Sequence, residues 1–497
     1  MFLKFSEKYL IHTILSAAVL VRVFEITKKD FWYDEAFTGI VVKEGFRKML
    51  EIVVNDVHPP LYYILVKLFT FPFGYDVFSI RLFSLVFGIL GVLAVYLLAK
   101  DIFNNRAALF ASLITAISPF AVQYSQEGRM YSMFSFLVVF ATYWLIKALK
   151  KDTLKEYMLW GVFWGLACLT HYLGILFGPI FYGLFLLGRM NKKNDESGWH
   201  LFLPSKGLAL GGVISAGLFS FWIGKFIEHS NRTNTLNWIS PARLSDIFLN
   251  LQMFLFGIPR SDYSGMPEPN SIYGFDPLTI FLLVTIFTTG VLFSVLQQEK
   301  KKEAWQVILL GFGFIGTLYA LSLMGRHYLV VRYIMPSAYF LFILLGFWLS
   351  SLHWKYCFFT LTIYFVLLGG VHSSSIYGGF GQILKDSEKF EGKNFYALNS
   401  FDYVIAKYYF GPEKVILYNI DWPEYDSSTW AAIGKEHLKK TEQFDVLRND
   451  PNGLILYNTQ VSWEARSDKS FDQSKFELID QYDNILIYRS NPKFFFR

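Results

Sequence analysis

Charge is what this chain has least of. Of its 497 residues, 17% are Asp, Glu, Lys or Arg, against 53% hydrophobic. A soluble chain of this length would divide into domains that each need a charged surface. Here the charges cluster between long apolar runs, which is the membrane pattern. Cysteine is almost absent: Cys168 and Cys357 both fall inside predicted spans, which argues against a disulfide framework. Nucleotide-binding, zinc-peptidase and serine-hydrolase motifs are missing. So is the internal repeat expected of a transporter built from inverted halves. No small-residue cleavage site follows the apolar stretch 9–26, so it reads as a first span rather than a removable signal. The net charge of +6 needs no nucleic acid, because it is explained by where the lysines and arginines lie.

What is present is a series of apolar runs, about eleven at ~20 residues each. They are 9–26, 80–99, 107–124, 132–149, 157–172, 173–190, 207–226, 276–296, 304–324, 333–351 and 356–372. The 52 Phe and 30 Tyr suit lipid-facing surfaces and interfacial belts. A shorter run, 60–73, carries Lys67 and is bounded by Pro60 and Pro72, so it reads as juxtamembrane or re-entrant. If it does not cross, the loops 100–106, 150–156, 191–206, 297–303 and 352–355 share one side with Lys4 and Lys8. All are basic, which places them in the cytoplasm. The loop 27–79, the hairpin 125–131, the loop 227–275 and the tail after about residue 373 then lie outside.

The tail changes character. The stretches 414–418, 453–457 and 484–488 are short, apolar and bounded by turn residues, the signature of strands, and 428–440 reads as a helix. The chain therefore divides into an all-α polytopic membrane domain, 1–372, and a small extracytoplasmic α/β domain, 373–497.

Polar groups gather at the outer ends of the spans. Asp34 and Glu35 are adjacent carboxylates just past the first span, and a carboxylate near a low-dielectric surface suits deprotonation of a hydroxyl. A solvated acidic turn is the plainer reading. Asp56 and His58 precede two prolines where the chain re-enters apolar surroundings. The hairpin Tyr124 to Tyr131 carries Gln126, Glu127 and Arg129, and Arg81, Arg326, His327 and Arg332 lie at other outer ends. Each arginine alone could be snorkelling to headgroups. Together they form a basic cluster on the side where basic residues are disfavoured, which calls for an anionic partner such as phosphate. His12 and His171 read as packed or interfacial histidines.

Taken in order, these clusters resemble the GT-C glycosyltransferases, in particular the family 39 group of protein O-mannosyltransferases and aminoarabinose-transferase-like enzymes. The resemblance runs from Asp34-Glu35 through His58 to Leu61 and Arg81, then the Ser125 to Tyr131 hairpin, to Arg332-Tyr333 and Pro336. It covers roughly the first 350 residues and leaves out the tail.

The resemblance implies a GT-C membrane fold with juxtamembrane helices in the first outer loop. It also implies sugar transfer, with inversion, from a polyprenyl-phosphate donor to a lipid, glycan or protein acceptor outside the membrane. Asp34 would be the general base, with Glu35 orienting acceptor or sugar. Arg129 and Arg332, with His58 and Arg81, would bind the phosphate, and Gln126, Glu127 and Tyr131 would belong to the same substrate site. No cofactor is required on this reading, although Asp34, Glu35, Asp56 and His58 have donor chemistry for a divalent ion. A bacterial inner membrane is expected, since there is no room for the large inserted domain of the eukaryotic enzymes. A transporter or flippase of lipid-linked sugars is the alternative.

Overall fold

The computed structural model describes residues 2–190, 203–231, 239, 241–257, isolated positions between 285 and 296, 299–369, 379–398, 400–418, 440–441, 450–459 and 476–490. Its first part is helical. Helix α1 is Phe2–Val23; α2, α3 and α4 are Tyr33–Lys43, Phe46–Asn55 and Leu61–Thr70; α5 is Val77–Ile102. Next come α6 (Asn105–Ile117), α7 (Pro119–Ser125), α8 (Tyr131–Lys151), α9 (Leu154–Thr170) and α10 (Phe177–Met190). Further helices occupy Lys206–Ser220, Ile223–Asn231, Leu244–Phe256, Lys301–Leu323, Met335–Ser351 and Trp354–Gly369.

The spans expected from the sequence fall on helical segments, 107–124 and 207–226 each on a bent pair, except that 276–296 lies almost wholly outside the described residues. Among the described residues four helices are long and apolar enough to cross a membrane, or six if each bent pair is one span. The eleven expected are not reached by that measure, because stretches such as Tyr9–Val23 and Met335–Ser351 are apolar but shorter. Helix α4 has 10 residues, about 15 Å of rise, half of what a hydrocarbon core requires. That length agrees with a non-crossing segment. Exposed apolar side chains such as Leu20, Phe24, Val213, Leu323 and Phe358 give the bundle a lipid-compatible surface.

The run 107–124 is not one helix. Ser118 caps α7 through a bond from the Ala121 amide at 3.3 Å, and Pro119 begins it, so α6 and α7 meet at a bend of 60°. Pro119 has no N–H to give the Thr115 carbonyl. A buried arginine in α1 supplies the missing donors. Arg22 donates to the Thr115 and Ala116 carbonyls at 3.0 and 2.6 Å and to Ser125 Oγ at 3.2 Å. A cation within a span is tolerated when backbone oxygens surround it in this way. Nearby, the helix Met335–Ser351 lies directly on α6. A Cβ on Gly346 would come within 2.5 Å of the Ala111 nitrogen, so only glycine permits the approach.

The tail forms a six-stranded sheet in the order β3-β2-β1-β4-β6-β5. Strands β1 (Asn394–Ala397), β2 (Val415–Tyr418), β3 (Lys440–Thr441) and β4 (Gly453–Asn458) are parallel, whereas β5 (Phe476–Tyr482) and β6 (Ile485–Ser490) form an antiparallel hairpin. The expected strands are present; the expected helix 428–440 lies outside the described residues except for its last position, Lys440, which opens β3. The helix Ser400–Phe410 connects β1 to β2, with Phe410 stacked on Phe395 at 4.6 Å. Its other face meets the first loop. The Tyr33 and Phe401 rings are 4.9 Å apart, and the Tyr408 hydroxyl donates to the Tyr75 carbonyl at 3.1 Å. The sheet is therefore joined to the loop that carries Asp34.

Replacing Arg22 with Met should leave the Thr115 and Ala116 carbonyls without donors. The expected loss is about 3 kcal/mol of stability, read as a lower unfolding midpoint in detergent.

Candidate active site

Trp32 is extended, at φ −84° and ψ 174°, and α2 starts behind it, so Asp34 and Glu35 occupy its first turn. Neighbours in sequence, they face different surroundings. The Glu35 side chain is 1% exposed and the Asp34 side chain 21%. Glu35 Oε1 and Oε2 accept from Arg81 Nε and Nη2 at 2.8 and 2.7 Å. Oε1 also accepts from the Gly128 amide at 2.6 Å, and Oε2 from the Trp32 amide at 3.4 Å. Arg81 gives its remaining hydrogens to the carbonyls of Ile26, Lys29 and Asp30 at 2.8, 2.7 and 2.9 Å. A guanidinium has five N–H donors, and all five are engaged within the protein.

In this structure every N–H of Arg81 is taken by a protein acceptor, and both Glu35 oxygens face Arg81 and backbone amides. Gln126 is also bound within the protein. Its Nε2 donates to the Arg22 and Phe24 carbonyls at 3.0 and 2.8 Å, tying the hairpin to the end of α1.

The remaining candidates close into a ring. Arg129, 2% exposed, has Nη2 at 3.9 Å from Asp34 Oδ2. Its Nη1 donates to the Asp34 carbonyl, Thr38 Oγ1 and the Tyr63 hydroxyl at 3.2, 3.1 and 3.4 Å. Tyr63 in turn donates to Asp56 Oδ2 at 3.1 Å, and the same oxygen holds His58 Nδ1 at 3.0 Å. The His58 ring is 5.9 Å from that of His171, and His171 is 5.1 Å from Tyr333. Arg332 lies 5.8 Å from the Tyr333 ring and 5.3 Å from the Trp32 ring, which returns the circuit to α2. Tyr131 is inside it, 6.3 Å from both His171 and Tyr333.

Several donors around this ring have no acceptor among the described residues. Arg129 Nε is buried without a hydrogen-bond partner among the described residues, as are Trp32 Nε1 and His171 Nε2. The His171 tautomer follows from geometry: Nδ1 accepts from the Leu173 amide at 3.2 Å, so the proton is on Nε2. Buried donors left unmade are costly, and their accumulation fits a site completed by an oxygen-rich anion.

The charges are held by their surroundings. Burial pushes the Asp56 carboxyl up, but the charge and hydrogen bond of His58, the Val57 amide and Arg129 outweigh it, leaving Asp56 below its usual range. Burial opposes the charge on Arg332, and Tyr131 and Asp34 more than offset that, so its proton is held more tightly than usual. Glu127 behaves oppositely. Burial, then the negative charge of Glu35, push it up to about 8, and its enclosed Oε2 lacks a partner among the described residues.

The structure thus brings together Asp34, His58, Arg129, Tyr131 and Arg332. Arg326 and His327 engage the Ser230 carbonyl and Ser322 instead. Sequence reasoning did not single out Thr38, Tyr63 or Tyr333, and it took His171 for a packed or interfacial histidine. Thr38 sits one helical turn after Asp34, and Tyr333 follows Arg332, which were signals available in the chain. His171 had none, because its place depends on the break between α9 and the 3-10 turn Tyr172–Leu176. Among the described residues no three His, Cys, Asp or Glu side chains group as metal ligands. Glu35, with both oxygens bound to Arg81, does not converge with Asp34, Asp56 and His58 on one ion.

Residues 57–210 match the family described as dolichyl-phosphate-mannose-protein mannosyltransferase. Over 150 residues the chain is 29% identical to the putative mannosyltransferase YkcB of Bacillus subtilis. That match spans 28% of this chain and 21% of the relative, about a fifth of its length. Among solved structures, ArnT from Cupriavidus metallidurans bound to undecaprenyl phosphate superposes with a TM-score of 0.61 at 12% identity, covering 96% of this chain and 97% of that one. Its apo form gives 0.62 at 11% identity with the same coverage. The oligosaccharyltransferase AglB from Archaeoglobus fulgidus, in complex with an inhibitory peptide and a dolichol-phosphate, gives 0.53 at 13% identity, over 81% of this chain and 64% of that one.

Because Glu127 holds its proton more tightly in the folded state than its ordinary value of 4.5, folding is favoured below that value and loses this contribution as pH rises through about 8. Between pH 6 and 9 the wild type should lose about 3 kcal/mol that Glu127→Gln does not. Thermal unfolding of both proteins in detergent at the two pH values checks this.

Proposed function

We propose that this integral membrane protein, which has the GT-C glycosyltransferase fold, transfers a sugar from a polyprenyl-phosphate donor to an acceptor hydroxyl at the extracytoplasmic face. The observation that carries the reading is the ring itself. A buried arginine, Arg129, and a half-buried one, Arg332, stand around a carboxylate, Asp34, that keeps access to solvent while Glu35 beside it is locked. ArnT and AglB are each named with a bound polyprenyl or dolichyl phosphate, which supports a lipid-linked donor here.

In the reaction the acceptor oxygen bonds to the anomeric carbon as its proton passes to Asp34. The bond from that carbon to the phosphate oxygen breaks, and the carrier leaves as a phosphate. A single displacement inverts the anomeric configuration. Negative charge develops on the phosphate, so fixed donors placed there lower the barrier more than they tighten the ground state. Arg129 and Arg332 supply the charge, and His171 Nε2–H and Trp32 Nε1–H add neutral donors. The Asp56 carboxylate orients His58 through Nδ1 and turns its Nε2 to the substrate side. The carrier tail stays in lipid, and the phosphate arrives at the outer interface. On this reading 1–372 is the transferase domain, 373–497 stands outside the membrane, and the protein belongs to a bacterial inner membrane.

Asp34→Asn should reduce turnover by roughly 10²- to 10⁴-fold in purified protein given a polyprenyl-phosphate sugar, with carrier binding retained. Full turnover in that variant would remove Asp34 from the mechanism. Arg129→Lys keeps the charge but loses the fork, and should raise the donor KM about tenfold.

A further inference from the structure

The sheet domain touches the residues that immediately precede the Asp34-Glu35 pair, and the contact is polar and specific. The Tyr409 hydroxyl accepts from the Phe31 amide at 3.0 Å and donates to Asp30 Oδ1 at 3.3 Å. The other oxygen of Asp30 accepts from the Gly381 amide at 3.1 Å. Both oxygens of the Asp30 carboxylate are thus held by the sheet domain, while its own carbonyl accepts from Arg81 Nη2 at 2.9 Å. Phe31 is fully buried between the two sides. Its ring lies 4.8 Å from that of Tyr408 and 5.1 Å from the Arg81 guanidinium. Helix α2 packs equally closely, since a Cβ on Gly39 would fall 2.4 Å from Tyr408 Cε2.

The consequence is a continuous linkage. Tyr409 and Gly381 hold Asp30; Asp30 and Glu35 hold Arg81; Glu35 holds the Gly128 amide, next to Arg129. Asp34 lies between the two fixed points, residues 30–31 and Glu35. Its distance from Arg129 is therefore set from both ends of the turn. A free loop of this kind would pay ordering entropy on each substrate encounter.

We infer that Tyr409 is a positioning residue: through Asp30 and Phe31 the sheet domain sets the first turn of α2 and thereby the placement of Asp34 against Arg129. The inference rests on the transferase reading and gives the tail a task within it. It acts on the reacting geometry rather than on the phosphate, so it predicts a selective effect on turnover.

The test uses the full chain in detergent or lipid nanodiscs, with Tyr409→Phe, Asp30→Asn and the double variant. Tyr482→Phe, whose hydroxyl binds Asp386 and Asp480 elsewhere in the sheet domain, serves as a control expected to keep wild-type turnover. Tyr409→Phe should lower kcat roughly 10- to 100-fold, with the donor KM, undecaprenyl phosphate binding and the unfolding midpoint held near wild type. Asp30→Asn should do the same. The double variant should be no worse than the more affected single, because both break one linkage. Hydrogen exchange should rise at residues 30–36 in each variant and not in the control. Wild-type kcat in Tyr409→Phe, unchanged exchange at 30–36, or a loss explained by the unfolded fraction alone would each overturn the inference. Exchange is read without any turnover, so a wild-type protein that transfers no sugar refutes the transferase reading and leaves the positioning claim separately decided.

Discussion

The arrangement of this site depends on one buried ion pair. Arg81, at the start of a long apolar helix, meets Glu35 through two parallel hydrogen bonds. Taking both charges out of water is expensive, and their attraction repays it only when every remaining donor and acceptor is satisfied. Here that condition is met: three backbone carbonyls take the rest of the guanidinium, and two amides take the rest of the carboxylate. The carbonyls come from the chain leaving α1, and one amide comes from the hairpin before α8. One ion pair thus gathers three chain segments that are far apart in sequence.

That constraint separates two adjacent carboxylates into different roles. Glu35 points inward and is neutralised by Arg81. Asp34, one residue earlier, lies on another face of the same helical turn, 3.9 Å from a different arginine and still in contact with solvent. The second arginine is itself held by Thr38, Tyr63 and the Asp34 carbonyl. In the transfer proposed above, pre-set charges of this kind would not have to reorganise as a phosphate leaves.

The same logic appears away from the site. Pro119 breaks a span and exposes backbone oxygens, and Arg22 covers them from a neighbouring helix. Between α9 and α10 a second break frees His171 from regular helix and turns it toward Tyr333. In both places irregular backbone within an apolar protein is tolerated because polar partners lie inside the bundle. At the first break the partner is supplied. At the second, the Nε2 donor is left without a partner among the described residues.

Sequence alone determined the membrane character, the helices, the strands of the tail and the grouping of Asp34, His58, Arg129 and Arg332. These follow from local signals: apolar runs of spanning length, the distribution of lysine and arginine, and the family-like order of short motifs. It could not tell which of several similar polar residues face substrate. Arg81 and Arg129 look alike in the chain, each at the outer end of an apolar helix, and so do Asp34 and Glu35. Only the tertiary structure decided that Arg81 has no donor left and that Arg129 Nε is buried without a partner among the described residues, because that depends on carbonyls and hydroxyls brought in from distant segments. It also decided that the tail is not merely suspended outside: Tyr408 and Tyr409 meet Phe31 and Asp30 across more than 370 residues of chain, a contact that no local pattern records.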